Sequence, residues 1–318
     1  MRVTLSRVAA VLSLLVLSSS AAAQDRADVP TADGQRADSP QGDQGPRKPP
    51  PRPLFPRHGR GIYRNAQGED VIDATPQSPP LVTDDPSVPD EGRYEINILS
   101  TVDYTKATAR ADLLVVDANY GLRPAIAGYH LPTQIKLEVP IAGARQSNEP
   151  FEVGLGTAGV GVKFNFYDDE HRGISVSVYP QLEFPTPGGQ GVEKGLAEKG
   201  ETIVLPFLVA REFHAFTFVF NGALETPVHD PERKVKSGFG VAFGRALTRK
   251  DAAMVELRSE SSLDFGSERL VFVNVGYIHG VRHIIMYGNV GHSVFADEAG
   301  GHTYAGVGIK LQIDTDKD

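Results

Sequence analysis

The chain has 318 residues, 40% of them hydrophobic, and a formal net charge of −8 at pH 7. This acidic balance, without a basic stripe that is interleaved with aromatic residues, argues against a nucleic-acid partner. The chain contains no cysteine, which excludes disulfides and thiolate chemistry and is consistent with a location beyond the inner membrane.

The first 23 residues have the three parts of a secretory signal peptide. Arg2 and Arg7 supply positive charge, residues 8–17 form an apolar stretch, and small residues with an Ala-x-Ala site precede Gln24. The apolar stretch is too short for a membrane-spanning helix, and the rest of the chain offers no run of 18 apolar residues. Any segment that crosses a membrane is therefore expected to be β rather than α.

Residues 24–92 are rich in proline, with 13 of the 23 prolines of the chain, and poor in apolar residues. Such a segment buries too little apolar surface to offset the entropy lost on ordering, so we predict a disordered or polyproline-like periplasmic segment. Leu54, Phe55 and the run Gly61–Tyr63 have three interpretations. They are a docking motif, a segment that enters the mouth of the following domain, or isolated hydrophobic residues of a tether.

The rest of the chain repeats a unit of one strand and one connection. In Ile174–Phe184 apolar and polar residues alternate, as they do where the two faces of a strand meet lipid and lumen. Short connections such as Tyr167–Gly173 alternate with long ones such as Pro185–Gly200, which is typical of outer-membrane barrels. For residues 93–318 we therefore predict an all-β fold, a transmembrane antiparallel up-and-down β-barrel of about 12 strands.

The predicted strands begin with Arg93–Tyr104 and an irregular stretch that ends near Tyr129. The others are Thr133–Ile141, Gly156–Tyr167, Gly173–Phe184, Thr202–Arg211, Ala215–Glu225, Lys236–Arg245, Ala252–Ser259, Arg269–His279, His283–Val294 and Thr303–Ile313. An even number of strands puts both ends of the barrel in the periplasm. The stretch Thr105–His130 has two interpretations, one broken strand or a surface insertion followed by a strand.

The alternation also predicts which polar side chains face the lumen. The candidate lumen-facing polar network consists of Lys163, Asn165, Tyr179, Gln181, Glu183, Glu256, Arg258, Glu260, Lys310 and Gln312. Charge in a narrow lumen is costly unless it is hydrated or paired. The set therefore has two interpretations that are compatible with each other. It is an electrostatic network that plugs and braces the barrel, or a polar constriction that a solute must pass.

The sequence offers no catalytic or metal-binding signature. His292 and Ser293 are neighbours on a strand, so they point to opposite faces, and no Gly-x-Ser-x-Gly elbow surrounds them. His279 and His283 straddle a predicted turn, and Asp168–Glu170 is an acidic turn, which solvation explains. We therefore expect no enzyme activity, no catalytic residues, no cofactor and no metal.

Three runs of residues carry a resemblance to a known family. These runs are Gly128–Pro140, Gly159–Glu170 and Val178–Gly188. Together they resemble the outer-membrane barrel family that is named for the meta-cleavage pathway of phenol degradation, a distant relative of long-chain fatty-acid transporters. The resemblance implies a barrel that admits small hydrophobic or aromatic molecules, and it implies no catalytic residue.

From these observations we expect an outer-membrane protein of a Gram-negative bacterium with its N-terminal arm in the periplasm. Its expected partners are outer-membrane lipid, the barrel-assembly machinery during insertion, and a small hydrophobic or aromatic solute. The expected function is passive uptake of that solute. The alternative is a closed structural barrel that acts through its loops or its proline-rich arm, without transport.

Overall fold

The computed structural model describes residues 62–64, 70–126, 128–146, 149–169, 172–213, 216–228, 230, 232–263, 269–281, 284–297 and 301–313. The predicted signal peptide lies outside these residues, as do residues 24–61 and 65–69 of the predicted disordered segment. The regular structure of the described residues is β throughout. Among them, no helix has the length and hydropathy that crossing a membrane requires.

Antiparallel strands close into a barrel of 12 strands, which confirms the predicted fold class. The strands are β1 (Tyr94–Tyr104), β2 (Thr108–Leu122), β3 (Thr133–Gln146), β4 (Thr157–Asp169), β5 (Ile174–Val178 and Gln181–Pro185), β6 (Thr202–Phe213), β7 (Phe216–Pro227), β8 (Lys236–Ala246), β9 (Asp251–Ser262), β10 (Leu270–Val281), β11 (Ile284–Ala296) and β12 (Thr303–Ile313). The barrel closes where β12 pairs with β1 along its whole length.

Three short pairings accompany the barrel. Glu152–Leu155 pairs with β3 just before β4 begins. Ala125–Ile126 pairs with Tyr129–His130 between β2 and β3. Ile62–Arg64 pairs with Asp70–Ile72 ahead of the first barrel strand.

The stretch Thr105–His130 contains one long strand with a bulge, β2, which agrees with the interpretation of one broken strand and not with a surface insertion followed by a strand. The register of β2 shifts between Asp112 and Leu114, which inserts one extra residue. Leu113 and Leu114 are consequently both exposed on the outer face. This β-bulge interrupts the two-residue period that identifies the other strands, and for that reason the sequence pattern looked broken.

The connections differ between the two ends of the barrel. At the turn end they comprise residues 170–173, 214–215, 247–250 and 282–283, and at the loop end residues 147–156, 186–201, 228–235, 263–269 and 297–302. The predicted alternation of short and long connections thus holds from β3 onwards. It is reversed for the first two connections, because residues 105–107 at the loop end are fewer than residues 123–132 at the turn end.

The two faces of the wall differ in polarity and burial. On β6 the side chains of Ile203, Leu205 and Phe207 are exposed on the outer face, whereas Leu208 and Ala210 are buried on the inner face. The outer face is an apolar surface of the kind that hydrocarbon chains of lipid require. Part of the inner face is covered from within by the chain itself.

Residues 72–90, here called the plug, lie inside the barrel. Most of their side chains are buried, Ser78 and Val82 are exposed, and Ile72 and Leu81 are 1% and 3% exposed. The prediction of a disordered segment over residues 24–92 does not hold for this part. A short proline-rich segment cannot build a core of its own, but here the inner face of the barrel supplies the apolar and polar partners.

Candidate functional site: the plugged lumen

The plug packs on the inner wall near the turn end through its apolar side chains. Ile72, Ala74 and Leu81 belong to one buried cluster with residues of β8, β9, β10 and β11. The wall members of this cluster are Ala242, Ala252, Met254, Ile278, Ile285 and Tyr287. Burial of apolar surface stabilises this contact by roughly 25 cal/mol per Å².

Two glycines of β8 make room for the plug. A Cβ atom on Gly244 would overlap the carbonyl oxygen of Ala74, and one on Gly240 would overlap the hydroxyl oxygen of the Thr83 side chain. A side chain larger than hydrogen at Gly244 would push the plug backbone away from the wall. The glycines therefore fix the path along which residues 74–83 cross the lumen.

Wall side chains satisfy the backbone polar groups of the plug at its middle. The backbone N–H of Thr83 donates to Oε1 of Glu256 over 2.5 Å. The backbone N–H of Asp84 donates to Oδ1 of Asn221 over 2.6 Å, and Nδ2 of Asn221 donates to the Asp84 carbonyl oxygen over 2.7 Å. Buried backbone groups need such partners, because each unpaired group costs about 1–3 kcal/mol.

Lys163 of β4 is the main ionic contact of the plug. Its Nζ atom lies 2.7 Å from Oδ2 of Asp84 and donates a second hydrogen bond to the carbonyl oxygen of Asp85 over 2.9 Å. The same ammonium group lies 4.8 Å from the centre of the Tyr179 ring. These contacts of the buried Lys163 side chain hold the plug against β4 and β5.

Further contacts extend on either side of this ion pair. Nδ2 of Asn165 and the hydroxyl of Ser177 both donate to the carbonyl oxygen of Pro86. Near the turn end, Nζ of Lys310 lies 2.8 Å from a Glu95 carboxylate oxygen and 2.5 Å from Oε1 of Gln77. The plug is thus held by hydrogen bonds and ion pairs to several strands, with no strand pairing between residues 73–90 and the barrel.

The loop-end half of the lumen contains two cavities. The inner cavity, of about 370 Å³, borders on Val82, Thr83 and Asp84 of the plug. The outer cavity, of about 480 Å³, lies nearer the loops and is lined in part by residues 195–198. Among the described residues, Glu183 of β5 and Arg258 of β9 line both cavities. The plug therefore closes the turn-end half of a lumen whose other half has space for small molecules.

Most charges around the inner cavity have a nearby partner of opposite sign. Arg258 pairs with Glu260, and its guanidinium group lies 4.5 Å from the centre of the Phe272 ring. Nζ of Lys136 lies 2.7 Å from Oε2 of Glu138. Pairing of this kind offsets the cost of placing charge in a narrow interior.

The structure divides the predicted lumen-facing residues into groups rather than one network. Lys163, Asn165, Glu256 and Lys310 contact the plug. Tyr179, Gln181, Glu183, Arg258 and Glu260 line the inner cavity. Gln312 lies opposite Glu95 near the turn end. The plug residues that these side chains bind were not anticipated, because no local pattern marks them as partners of the wall.

Two clusters near the ends of the barrel resemble catalytic or metal-binding groups in composition. At the loop end, His302 Nδ1 lies 3.2 Å from Oδ1 of Asp103, and the Ser293 hydroxyl accepts a hydrogen bond from the backbone N–H of His302. At the turn end, His279 Nδ1 lies 2.7 Å from Oδ1 of Asp251. The Ser293 hydroxyl is thus bonded to the backbone of His302. This cluster therefore joins β1 and β11 to the residue that directly precedes β12. Among the described residues, no group of three or more His, Asp and Glu side chains is placed to hold a metal ion.

The fold is similar to that of solved outer-membrane barrels. An outer membrane channel from Pseudomonas putida F1 superposes with a TM-score of 0.58 at 8% sequence identity, over 71% of this chain and 97% of the channel. The NanC porin gives a TM-score of 0.49 at 8% sequence identity, over 69% of this chain and 100% of the porin. The KdgM porin gives a TM-score of 0.45 at 10% sequence identity, over 68% of this chain and 98% of the porin.

No family model matches the chain, and no curated protein matches it in sequence. At 8% identity, the likeness to the Pseudomonas channel establishes the shared fold alone. The chain has the fold of an outer-membrane β-barrel with a plugged lumen.

Proposed function

We propose that this chain is an outer-membrane transport protein that admits small compounds by passive diffusion. The observation that carries the proposal is the unequal filling of the lumen. The plug occupies the turn-end half, whereas cavities of about 370 and 480 Å³ occupy the loop-end half. A barrel that served only as a scaffold would have no need of such space, and non-covalent contacts allow the plug to move aside.

The proposed solute is small and largely hydrophobic or aromatic. This class comes from the resemblance to the phenol-degradation barrel family. The lining of the inner cavity also supports this class of solute, because it includes the apolar side chains of Val204, Pro206 and Leu208 of β6. In the proposed orientation, the loop end faces the cell exterior and the N-terminal arm lies in the periplasm, as short periplasmic turns favour.

A second candidate function is a closed barrel that acts through its loops or its N-terminal arm. The density of contacts between plug and wall favours this candidate. Thr83, Asp84 and Pro86 are each bonded to wall side chains, and these bonds have to break before a solute can pass. The two functions differ in one property, which is whether the plug moves.

A reversible lock on the plug separates the two functions. A Cβ atom on Gly240 would lie 3.5 Å from the Cβ atom of Thr83, within the range of roughly 3.5–4.5 Å that a disulfide needs. Since the chain has no cysteine, the double substitution Thr83→Cys and Gly240→Cys creates a single disulfide. The matched control pairs Thr83→Cys with Gly238→Cys, because a Cβ atom on Gly238 meets only the Ser259 carbonyl oxygen at 3.9 Å.

The assay uses the full chain in liposomes, with uptake of radiolabelled aromatic compounds and ion conductance as readouts. Transport predicts uptake by the reduced Thr83→Cys/Gly240→Cys protein, loss of uptake on oxidation and its return on reduction. The control pair should be insensitive to oxidation. Absence of uptake and conductance in both redox states would refute transport and favour the closed barrel.

A further inference from the structure

The inner cavity has an excess of negative charge. Its lining includes five carboxylates and two cationic side chains, and the carboxylates are Asp84, Glu138, Glu183, Glu225 and Glu260. Asp84 pairs with Lys163, Glu138 with Lys136, and Glu260 with Arg258. Glu225 stands opposite Lys236 in the pairing of β7 with β8. Glu183 stands opposite Thr202 and Gly159 in its strand pairings, and among the described residues no cationic group lies within ion-pairing distance of it.

Glu183 also has a distinctive position. It lines both cavities, so any molecule that moves from the outer to the inner cavity passes its carboxylate. The other side chain at this passage is Arg258, whose charge is already engaged by Glu260 and whose guanidinium group stacks on Phe272. The passage therefore presents to a solute one carboxyl group that has no ion-pair partner among the described residues.

Two further features suit a ligand beside Glu183. Tyr179 lines the inner cavity with a side chain that is 3% exposed, and its hydroxyl has no hydrogen-bond partner among the described residues. Such a buried, unpaired hydroxyl is costly unless a ligand or water satisfies it. On the adjacent strand β6, whose Pro206 carbonyl oxygen accepts a hydrogen bond from the Tyr179 backbone N–H, the apolar side chains of Val204, Pro206 and Leu208 line the same cavity.

We propose that the inner cavity binds a small amphipathic cation. Its ammonium group pairs with Glu183 at the passage between the cavities, and its apolar or aromatic body lies on Val204, Pro206 and Leu208. This proposal rests on the proposed function, because it names the class of solute that enters the lumen from the loop end. The volume of about 370 Å³ suits a molecule with one ring and a short side chain.

The charges at the cavity disfavour other classes of solute. An anion would meet the carboxylate of Glu183, and the cationic groups of Lys136 and Arg258 are already neutralised by their partners. A neutral aromatic molecule would cover Glu183 without supplying the ion-pair partner that a buried carboxylate requires. A protonated amine avoids both penalties.

The absence of native cysteine allows a direct test in the refolded full chain. Ala223→Cys places one thiol on the wall of the inner cavity. Its rate of modification is measured with two methanethiosulfonate reagents of similar size, one with a quaternary ammonium group and one with a sulfonate. A cavity lined by one sign of charge raises the local concentration of counter-ions, so we expect the cationic reagent to react about tenfold faster, after correction for intrinsic reactivity.

Protection experiments identify the ligand class without altering Glu183. Phenethylamine should slow the modification of Ala223→Cys, whereas 2-phenylethanol and 3-phenylpropionate should protect weakly or not at all. Adding Glu183→Gln should reduce both the preference for the cationic reagent and the protection by phenethylamine. Glu152→Gln, which removes a carboxylate outside both cavities, is the matched control and should change neither.

The outcomes separate this proposal from transport itself. Equal rates with both reagents, or equal protection by all three aromatic compounds, would overturn the cation site. Preference for the cation in a protein without liposome uptake would support the site and refute only transport. Uptake without any preference for the cation would overturn the site and leave transport standing.

Discussion

The backbone N–H of Thr83 donates a hydrogen bond to the carboxylate of Glu256, 173 residues further along the chain. The second oxygen of that carboxylate accepts a hydrogen bond from Nδ2 of Asn274, which lies directly opposite on β10. Glu256 is 1% exposed, and its two carboxylate oxygens accept hydrogen bonds from one donor of the plug and one donor of the wall. This residue therefore joins the plug to the barrel at the centre of the lumen.

Replacing Glu256 by alanine should loosen the plug. The substitution Glu256→Ala leaves the Thr83 N–H and the Asn274 amide without their acceptor, at about 1–3 kcal/mol for each unsatisfied group. We expect more frequent or longer openings of single channels in planar bilayers than for the native chain. Glu256→Gln retains an acceptor oxygen and should behave more like the native chain. If single channels of Glu256→Ala opened as rarely and as briefly as those of the native chain, Glu256 would not hold the plug in place.

A methyl group at Gly244 should disturb the plug, whereas the same change at Gly238 should not. The Cβ atom of Gly244→Ala meets the carbonyl oxygen of Ala74, which cannot move without shifting the plug backbone. Overpacking of this kind costs typically about 1–3 kcal/mol. Hydrogen–deuterium exchange over residues 72–90 should be faster in Gly244→Ala than in Gly238→Ala. Equal exchange in the two variants would show that the plug does not follow this path.

The barrel was predictable from the sequence because the alternation of apolar and polar residues that marks a strand lies within the strand itself. Ile174, Val176 and Val178 alternate with polar residues, and this local period of two is what a wall between lipid and lumen requires. The pattern failed at Leu113 and Leu114, where a bulge places two consecutive side chains on one face. Local periodicity therefore predicts the wall and fails where the register shifts.

The plug was not predictable in the same way, because its stability comes from partners that are distant in sequence. Lys163 has the correct parity for the lumen, but nothing near it indicates that Asp84 is its partner. The glycines Gly240 and Gly244 lie on the inner parity of β8, but a glycine inside a barrel strand is also expected where the wall bends. The sequence therefore does not show that Gly244 faces the backbone of Ala74 and Gly240 the side chain of Thr83.

An ion pair at the loop end should make stability depend on pH in acid. Hydrogen bonds from Arg269, with Nε 3.1 Å from Oδ2, lower the pKa of Asp297 below its ordinary value of 3.8. Because the folded pKa is below the unfolded one, the pair stabilises the protein above pH 3.8. Its contribution is lost as the pH falls below that value through the lowered pKa of Asp297.

The difference in urea midpoint between the native chain and Asp297→Asn measures this contribution. We expect a small difference at about pH 6, since the pair is exposed, and a decreasing one in stronger acid. The variant Arg269→Gln should show the same loss at about pH 6. A difference that grows on acidification would contradict the direction of the pKa shift.

Cysteine labelling on intact cells should establish which end of the barrel faces outward. The proposed orientation places the loop end outside, because outer-membrane barrels have long loops at the cell surface and short turns in the periplasm. Glu193 is exposed in the connection of residues 186–201, and the Arg172 side chain is 74% exposed in the turn before β5. A membrane-impermeant maleimide should label Glu193→Cys on intact cells, and Arg172→Cys only after the outer membrane is permeabilised. The native chain, which has no cysteine, supplies a control without background. Labelling of Arg172→Cys but not Glu193→Cys on intact cells would reverse the orientation, and the two cavities would then open towards the periplasm.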